Sequence, residues 1–292
     1  MVAVPVYCSR CTYDLRGLSA DSSCPECGLP IAQTLQHLID PAASRMPRLR
    51  DPIGVGNALV WLVVCLACAM LLLMLQAALV WVGYIQPRQT GVLGMAAAHD
   101  LTLLSAIMAL LGLWSVFKFN PSKGQRVNVA VRLDVIALGL GLVSWSLLTM
   151  VLWQRERYWA FAPVDVEHVS MIRLILHILM AMAGITVWVG MQRILFTIGK
   201  RSRAYRHAQG GRQGIRPMMA ATAAIAVGSA VRLVGVVLLD VEPLAVMGTV
   251  IVWVSMLMLF IGMLYLLINA IWIRQALRYP PPKLETLLTP IR

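Results

Sequence analysis

Residues 57–85 read NALVWLVVCLACAMLLLMLQAALVWVGYI, a run without a single charge. As a helix rising 1.5 Å per residue it would reach about 43 Å, more than the roughly 30 Å hydrocarbon core of a bilayer. A surface helix of a soluble protein keeps one polar face; this run is apolar all round, as a membrane span is. Five more runs of the same kind follow, at about 99–119, 133–153, 170–198, 218–239 and 244–273. The first, fourth and sixth exceed the length that crossing needs, so tilt or projection is expected. Asp240-Val241-Glu242-Pro243 alone separates the last two, which predicts a tight antiparallel hairpin. Composition agrees. The chain is 59% hydrophobic and 13% charged, against roughly 45–50% and about 25% in soluble domains.

The formal net charge of +12 would point to nucleic acid in a soluble protein. Its distribution points elsewhere. With the N-terminus in the cytoplasm, nineteen of the 25 Lys and Arg residues fall on the cytoplasmic side. Arg88, Arg155, Arg157 and Arg173 fall on the other side, and Arg193 and Arg232 lie within spans. This asymmetry is the positive-inside pattern. It predicts a multi-pass protein of the cell inner (cytoplasmic) membrane with both termini cytoplasmic. Membrane lipids are then the expected partners of the charge, and no nucleic acid is expected. No apolar run occurs in the first 30 residues, so no signal peptide is expected there. Trp153 and Trp159 suit an interfacial belt.

Ahead of the spans stand Cys8, Cys11, Cys24 and Cys27, written C-S-R-C, twelve residues, then C-P-E-C-G. Two CxxC turns at this separation each deliver two thiolates to one tetrahedral metal site. A reducing compartment favours a metal over disulfides. Zinc is the expected ion, with iron in the same thiolate cage as the chemical alternative. Gly28 follows the second turn, where a left-handed backbone is often needed, and Pro25 pre-sets φ inside it. Thr12 takes the corresponding place after the first. Four thiolates leave no open position, so the site reads as structural. A head of about 30 residues buries too little apolar surface to fold alone, so the metal is expected to supply its folding energy.

The stretch Tyr7-Cys8-Ser9-Arg10-Cys11-Thr12-Tyr13-Asp14-Leu15-Arg16-Gly17-Leu18, with Cys24-Pro25-Glu26-Cys27-Gly28, resembles the zinc-ribbon head of many uncharacterised bacterial multi-pass membrane proteins. The usual form there is C-x-x-C-G-Y-D-L-R-G-L, then C-P-E-C-G; Thr12 replaces its first Gly. The resemblance covers about a tenth of the chain. It implies zinc and a cytoplasmic-membrane location, and it carries no activity. The expected fold is therefore an all-α membrane protein: six transmembrane helices with a small N-terminal zinc ribbon. Its expected parts are the ribbon at 1–30, a juxtamembrane linker at 31–52, the six-helix domain at 53–275 and a cytoplasmic tail at 276–292. The linker is expected to open with a short amphipathic helix through Leu35, Leu38 and Ile39, ended by Asp40-Pro41.

Residues 1–30 carry Arg10 and Arg16 against Asp14, Asp21 and Glu26, and a zinc tetrathiolate adds two negative charges. Such a head is unsuited to phosphate backbones and better suited to a protein contact. Inside the spans, Arg232 is the residue that most calls for explanation, because an intramembrane Arg is costly. Asp100 and Glu167 lie near the same leaflet as candidate partners; outward snorkelling is the plainer alternative. His177 sits a third of the way into the fourth span and reads as a core histidine, with no second deep histidine to share a haem. Together Arg232, Asp100, Glu167 and His177 form the candidate intramembrane polar site. Cys65 and Cys68 share a helix face and read as packing residues. Ala220, Ala224 and Gly228 form a small-xxx-small face, which predicts a central helix or a homo-oligomer seam. The loop at 199–216 holds six cations and no acid, suiting anionic lipid.

No paired acids, clustered histidines or activated nucleophile mark the spans, so the expected role is non-enzymatic. The reading is a membrane scaffold or regulatory protein whose zinc head contacts a cytoplasmic protein partner. The alternative is a small-solute or ion transporter or channel capped by the ribbon. It would require a polar cavity at mid-membrane, lined by Arg232, His177 or Asn269.

Overall fold

The first span starts earlier than its apolar run. Gly54 N–H donates to Asp51 Oδ1 at 2.8 Å, and Val55 N–H to Asp51 O at 3.0 Å. Asp as N-cap followed by Pro at the first helical position is a favoured helix start, so the helix begins at Pro52. The computed structural model describes residues 1–40, 49, 51–85, 87–119, 129–159, 166–209, 214–280 and 287–288. Among them the helices are α1 (Ile31–Leu38), α2 (Pro52–Ile85), α3 (Pro87–Lys118), α4 (Val129–Trp159), α5 (Val166–Gly199), α6 (Arg203–Gln209), α7 (Ile215–Leu233) and α8 (Glu242–Arg278). A π-helical turn, Val234–Leu238, extends α7, and Asp240 at φ 48° helps reverse the chain into α8. No strand occurs among the described residues; the head has only isolated bridges, such as Tyr7 with Asp14 and Ser23 with Pro30.

Six helices are long and apolar enough to cross a membrane: α2, α3, α4, α5, α7 with its π-turn, and α8. They outrun the apolar runs at several ends. Pro87 starts α3 directly after α2, where the sequence reading placed a loop as far as residue 98, because Pro at the first turn starts a helix well. The linker between 41 and 48 lies outside the described residues.

Each span packs on its chain neighbour, and α8 returns to α2, closing a ring in chain order. Cross-helix bonds give the register. Trp61 Nε1 donates to Leu111 O at 3.2 Å and Ser105 Oγ to Ala69 O at 3.0 Å, an antiparallel α2–α3 pair. Asp134 meets Arg193 at 3.9 Å across α4 and α5. Trp188 Nε1 donates to Thr222 Oγ1 at 2.9 Å, joining α5 to α7 in the buried interior. Thr222→Val removes that acceptor and strands a buried N–H, a loss of about 1–3 kcal/mol. A matching fall in unfolding free energy is the expected result, and an unchanged midpoint would show the bond to be dispensable.

Two crossings are close enough to need glycine. A Cβ on Gly190 would lie 2.5 Å from Asp134 O and from Leu138 N in α4. A Cβ on Gly228 would lie 2.9 Å from Gly248 O in α8. Gly228 thus spends its small face inside the chain, in the α7–α8 hairpin. The main hydrophobic core, including Leu59, Leu62, Leu138, Met191, Leu195, Ala270 and Ile273, lies inside the ring.

The head has a core of its own: Val2, Val6, Cys8, Leu15, Cys24, Ile31, Leu35 and Leu287. Three of these residues, Ile31, Leu35 and Leu287, come from outside residues 1–30. Helix α1 presents Ile31 and Leu35 to it, as the amphipathic pattern requires. Leu287, close to the C-terminus, is 4% exposed. Ala3 N–H donates to Leu287 O at 2.7 Å, and Val2 bridges Leu288. The two ends of the chain therefore meet, which an even number of crossings permits. Asp40, just beyond α1, pairs with Arg206 of α6 at 2.5 Å and ties the head to the bundle.

Candidate metal centre

The two cysteine turns repeat one backbone design. Thr12 N–H donates to Cys8 O at 3.0 Å, and Gly28 N–H to Cys24 O at 2.9 Å. Cys8 N–H donates to Tyr13 O and Cys24 N–H to Leu29 O, both at 2.8 Å. Thr12 and Gly28 hold the same position in the two turns, with φ of 61° and 70°. For Gly this left-handed backbone is free of strain; for a β-branched residue it is a true outlier. Thr12→Gly is expected to stabilise the folded head by about 1 kcal/mol, since a left-handed L-residue costs roughly 1–2 kcal/mol. Zinc competition should then show binding about fivefold tighter; unchanged or weaker binding would refute it.

The turns face each other and bring all four sulfurs within 4.8 Å of one another. Cys8 Sγ lies 3.5 Å from Cys27 Sγ, and Cys11 Sγ lies 3.6 Å from Cys24 Sγ. A tetrahedron of thiolates about 2.3 Å from a central zinc has edges of about 3.8 Å. The cluster therefore fits a single metal ion. Cys8 and Cys24 are buried, while Cys11 and Cys27 are half-buried.

The electrostatics of the cluster suit a cation. Backbone amides of Arg10 and Cys11 point at Cys8 and hold its thiol down at about 6. The Tyr13 amide acts on Cys11 in the same sense, but burial and the sulfurs of Cys27, Cys24 and Cys8 outweigh it and push Cys11 up to about 12. One thiolate is favoured by the turn, and further thiolates beside it are not. A divalent ion at the centre would reverse that repulsion and keep all four deprotonated. The amide bonds to sulfur also orient the ligands.

Helix α1 braces the first turn. The Ser9 N–H points to Thr34 Oγ1 at 3.5 Å, and the two hydroxyls lie 3.4 Å apart. This bracing and the Leu287 contact escaped the sequence reading. The one signal for the second was the apolar pair Leu287-Leu288 in a tail rich in polar residues and proline.

Of the candidate intramembrane residues, Asp100 and Arg232 form no ion pair with each other. Arg232 is exposed, and among the described residues no carboxylate pairs with it. Asp100 is also exposed and makes no ion pair with a described residue. The Glu167 side chain lies outside the described residues. His177 is half-buried and faces a cavity between the spans, which Arg232 and Asn269 do not line. Asn269 is buried elsewhere in α8, its Oδ1 without a hydrogen-bond partner among the described residues. Cys65 is fully buried beside Gly112 of α3, a packing position. No protein-family model, curated protein or solved structure matches this chain.

Proposed function

We propose that this protein anchors a zinc-folded interaction module at the cytoplasmic face of the cell membrane, as a scaffold or regulatory protein. The observation that carries the proposal is the sulfur cluster, set in a head with its own core and tied to the bundle through the Asp40–Arg206 pair. Zinc is the ion of choice for a closed four-thiolate site without an open position. The cation asymmetry of the sequence supports a cytoplasmic head. The head's exposed face carries Tyr7, 61% exposed, and Tyr13, 39% exposed. Solvent-facing tyrosines on an acidic surface suit a protein partner, because tyrosine is enriched at binding hot spots.

The test uses the full-length protein in cells, with a photo-crosslinking amino acid at Tyr7 or Tyr13. Zinc-dependent crosslinks to one cytosolic protein, lost in Cys24→Ser, are expected. Crosslinks confined to the chain itself would make the head a structural cap. Metal analysis of the purified protein should give one zinc per chain, and iron in its place would overturn the metal assignment.

A further inference from the structure

Between α2, α4, α5, α7 and α8, five of the six spans, lies a cavity of about 110 Å³. It sits in the middle of the ring, at the level of Leu66 and Met70 of α2, Leu142 of α4, Met180 of α5 and Met263 of α8. Leu66 is fourteen residues into α2, roughly 21 Å from its start, so the cavity lies at membrane depth. We propose that it is a hydrocarbon-binding site that takes the end of one chain of a membrane lipid.

The wall decides the class of ligand. It is almost wholly apolar, and the polar groups of Trp188 and Thr222 in it are already committed to each other and to the backbone. Trp188 Nε1 donates to Thr222 Oγ1, and Thr222 Oγ1 donates in turn to Met218 O, both at 2.9 Å. A buried water needs two to four polar partners, and an ion or polar solute would lose its hydration without replacement. Polar cargo is therefore a poor fit. Size sets a second limit. An apolar cavity of about 150 Å³ accommodates benzene, so this one admits a few carbons and no ring system with its substituents.

The driving force differs from that in water. Moving a chain from bilayer to cavity gains no hydrophobic transfer energy, because both are apolar. It gains dispersion contacts along walls that otherwise face a void. Chains surround the protein in the bilayer, so a weak site is still filled. Methionines at 70, 180 and 263 give the wall adaptable side chains that close on straight or branched carbon.

The test is photolabelling of the full-length protein in vesicles. One arm carries a phospholipid with a diazirine at the acyl-chain end; the other carries an isoprenoid lipid with the same group. Adducts on the wall at Met180 or Met263 are expected in at least one arm, and the arm that labels them identifies the chain type. Met258, 64% exposed on the lipid-facing side of α8, is the internal reference. Ala181→Phe fills the cavity and should cut wall adducts at least tenfold relative to Met258. Leu142→Ala enlarges it and should raise them severalfold, which keeps the test decisive if Ala181→Phe does not fold. Adducts confined to lipid-facing residues in both arms, or wall adducts that respond to neither variant, would overturn the proposal.

Discussion

Cys24→Ser is expected to abolish stoichiometric metal binding and unfold the head while leaving the bundle assembled. Cys24 is 2% exposed and supplies one of four sulfurs packed within 4.8 Å. The head core is small, and structural zinc contributes about 10–16 kcal/mol of apparent folding free energy in comparable modules. Without it, Val2, Leu15, Ile31 and Leu35 lose the framework that buries them. The loss should spread to the other end of the chain, because Leu287 is held by the same core. Hydrogen exchange should accelerate over residues 1–38 and around Leu287, and a protease should release the C-terminal segment. The bundle core draws on none of these residues, so far-ultraviolet helicity should persist. Undiminished metal content, or a protected head in the variant, would count against the site.

The second large effect is expected at Gly190. An added methyl would stand 2.5 Å from two backbone atoms of α4 and 2.9 Å from Leu138 Cα. Backbone cannot yield as a side chain does, so α4 and α5 must separate. Overpacking of this kind costs about 3 kcal/mol, and separation would also break the Asp134–Arg193 pair. Gly190→Ala should therefore lower the unfolding midpoint markedly, although Ala is intrinsically the better helix former by about 1 kcal/mol. Gly139→Ala is the control. Its Cβ would meet Val116 Cγ1 at 3.7 Å, an ordinary contact. That variant should be neutral or slightly stabilising. Equal effects at the two positions would show that the close crossing is not what destabilises.

The spans were legible because length and apolarity are properties of a contiguous segment. Their ends were less so. The Asp51-Pro52 start was readable as a cap and was instead assigned to the linker. The helix from Pro87 was hidden because the residues after it are less apolar and include Gly91 and Gly94, which are weak helix formers. The candidate metal ligands were legible because each CxxC turn is local, and Thr12 could be matched to Gly28 by position alone. The proposed pairing of Asp100 with Arg232 rested on similar depth. Depth along a span does not say which way a side chain faces, and both residues are exposed.

The sequence by itself determined six helices apolar enough to span a membrane, four cysteines able to hold one metal ion and the asymmetry of charge, because each is set by composition or spacing within one segment. Tertiary structure alone decided that Leu287 closes the head, that Asp40 meets Arg206, that Trp188 bonds Thr222, and that an apolar cavity lies between five spans. Each of these joins residues far apart in the chain. Their meeting depends on helix rotation and crossing distance, which packing sets and no single segment encodes.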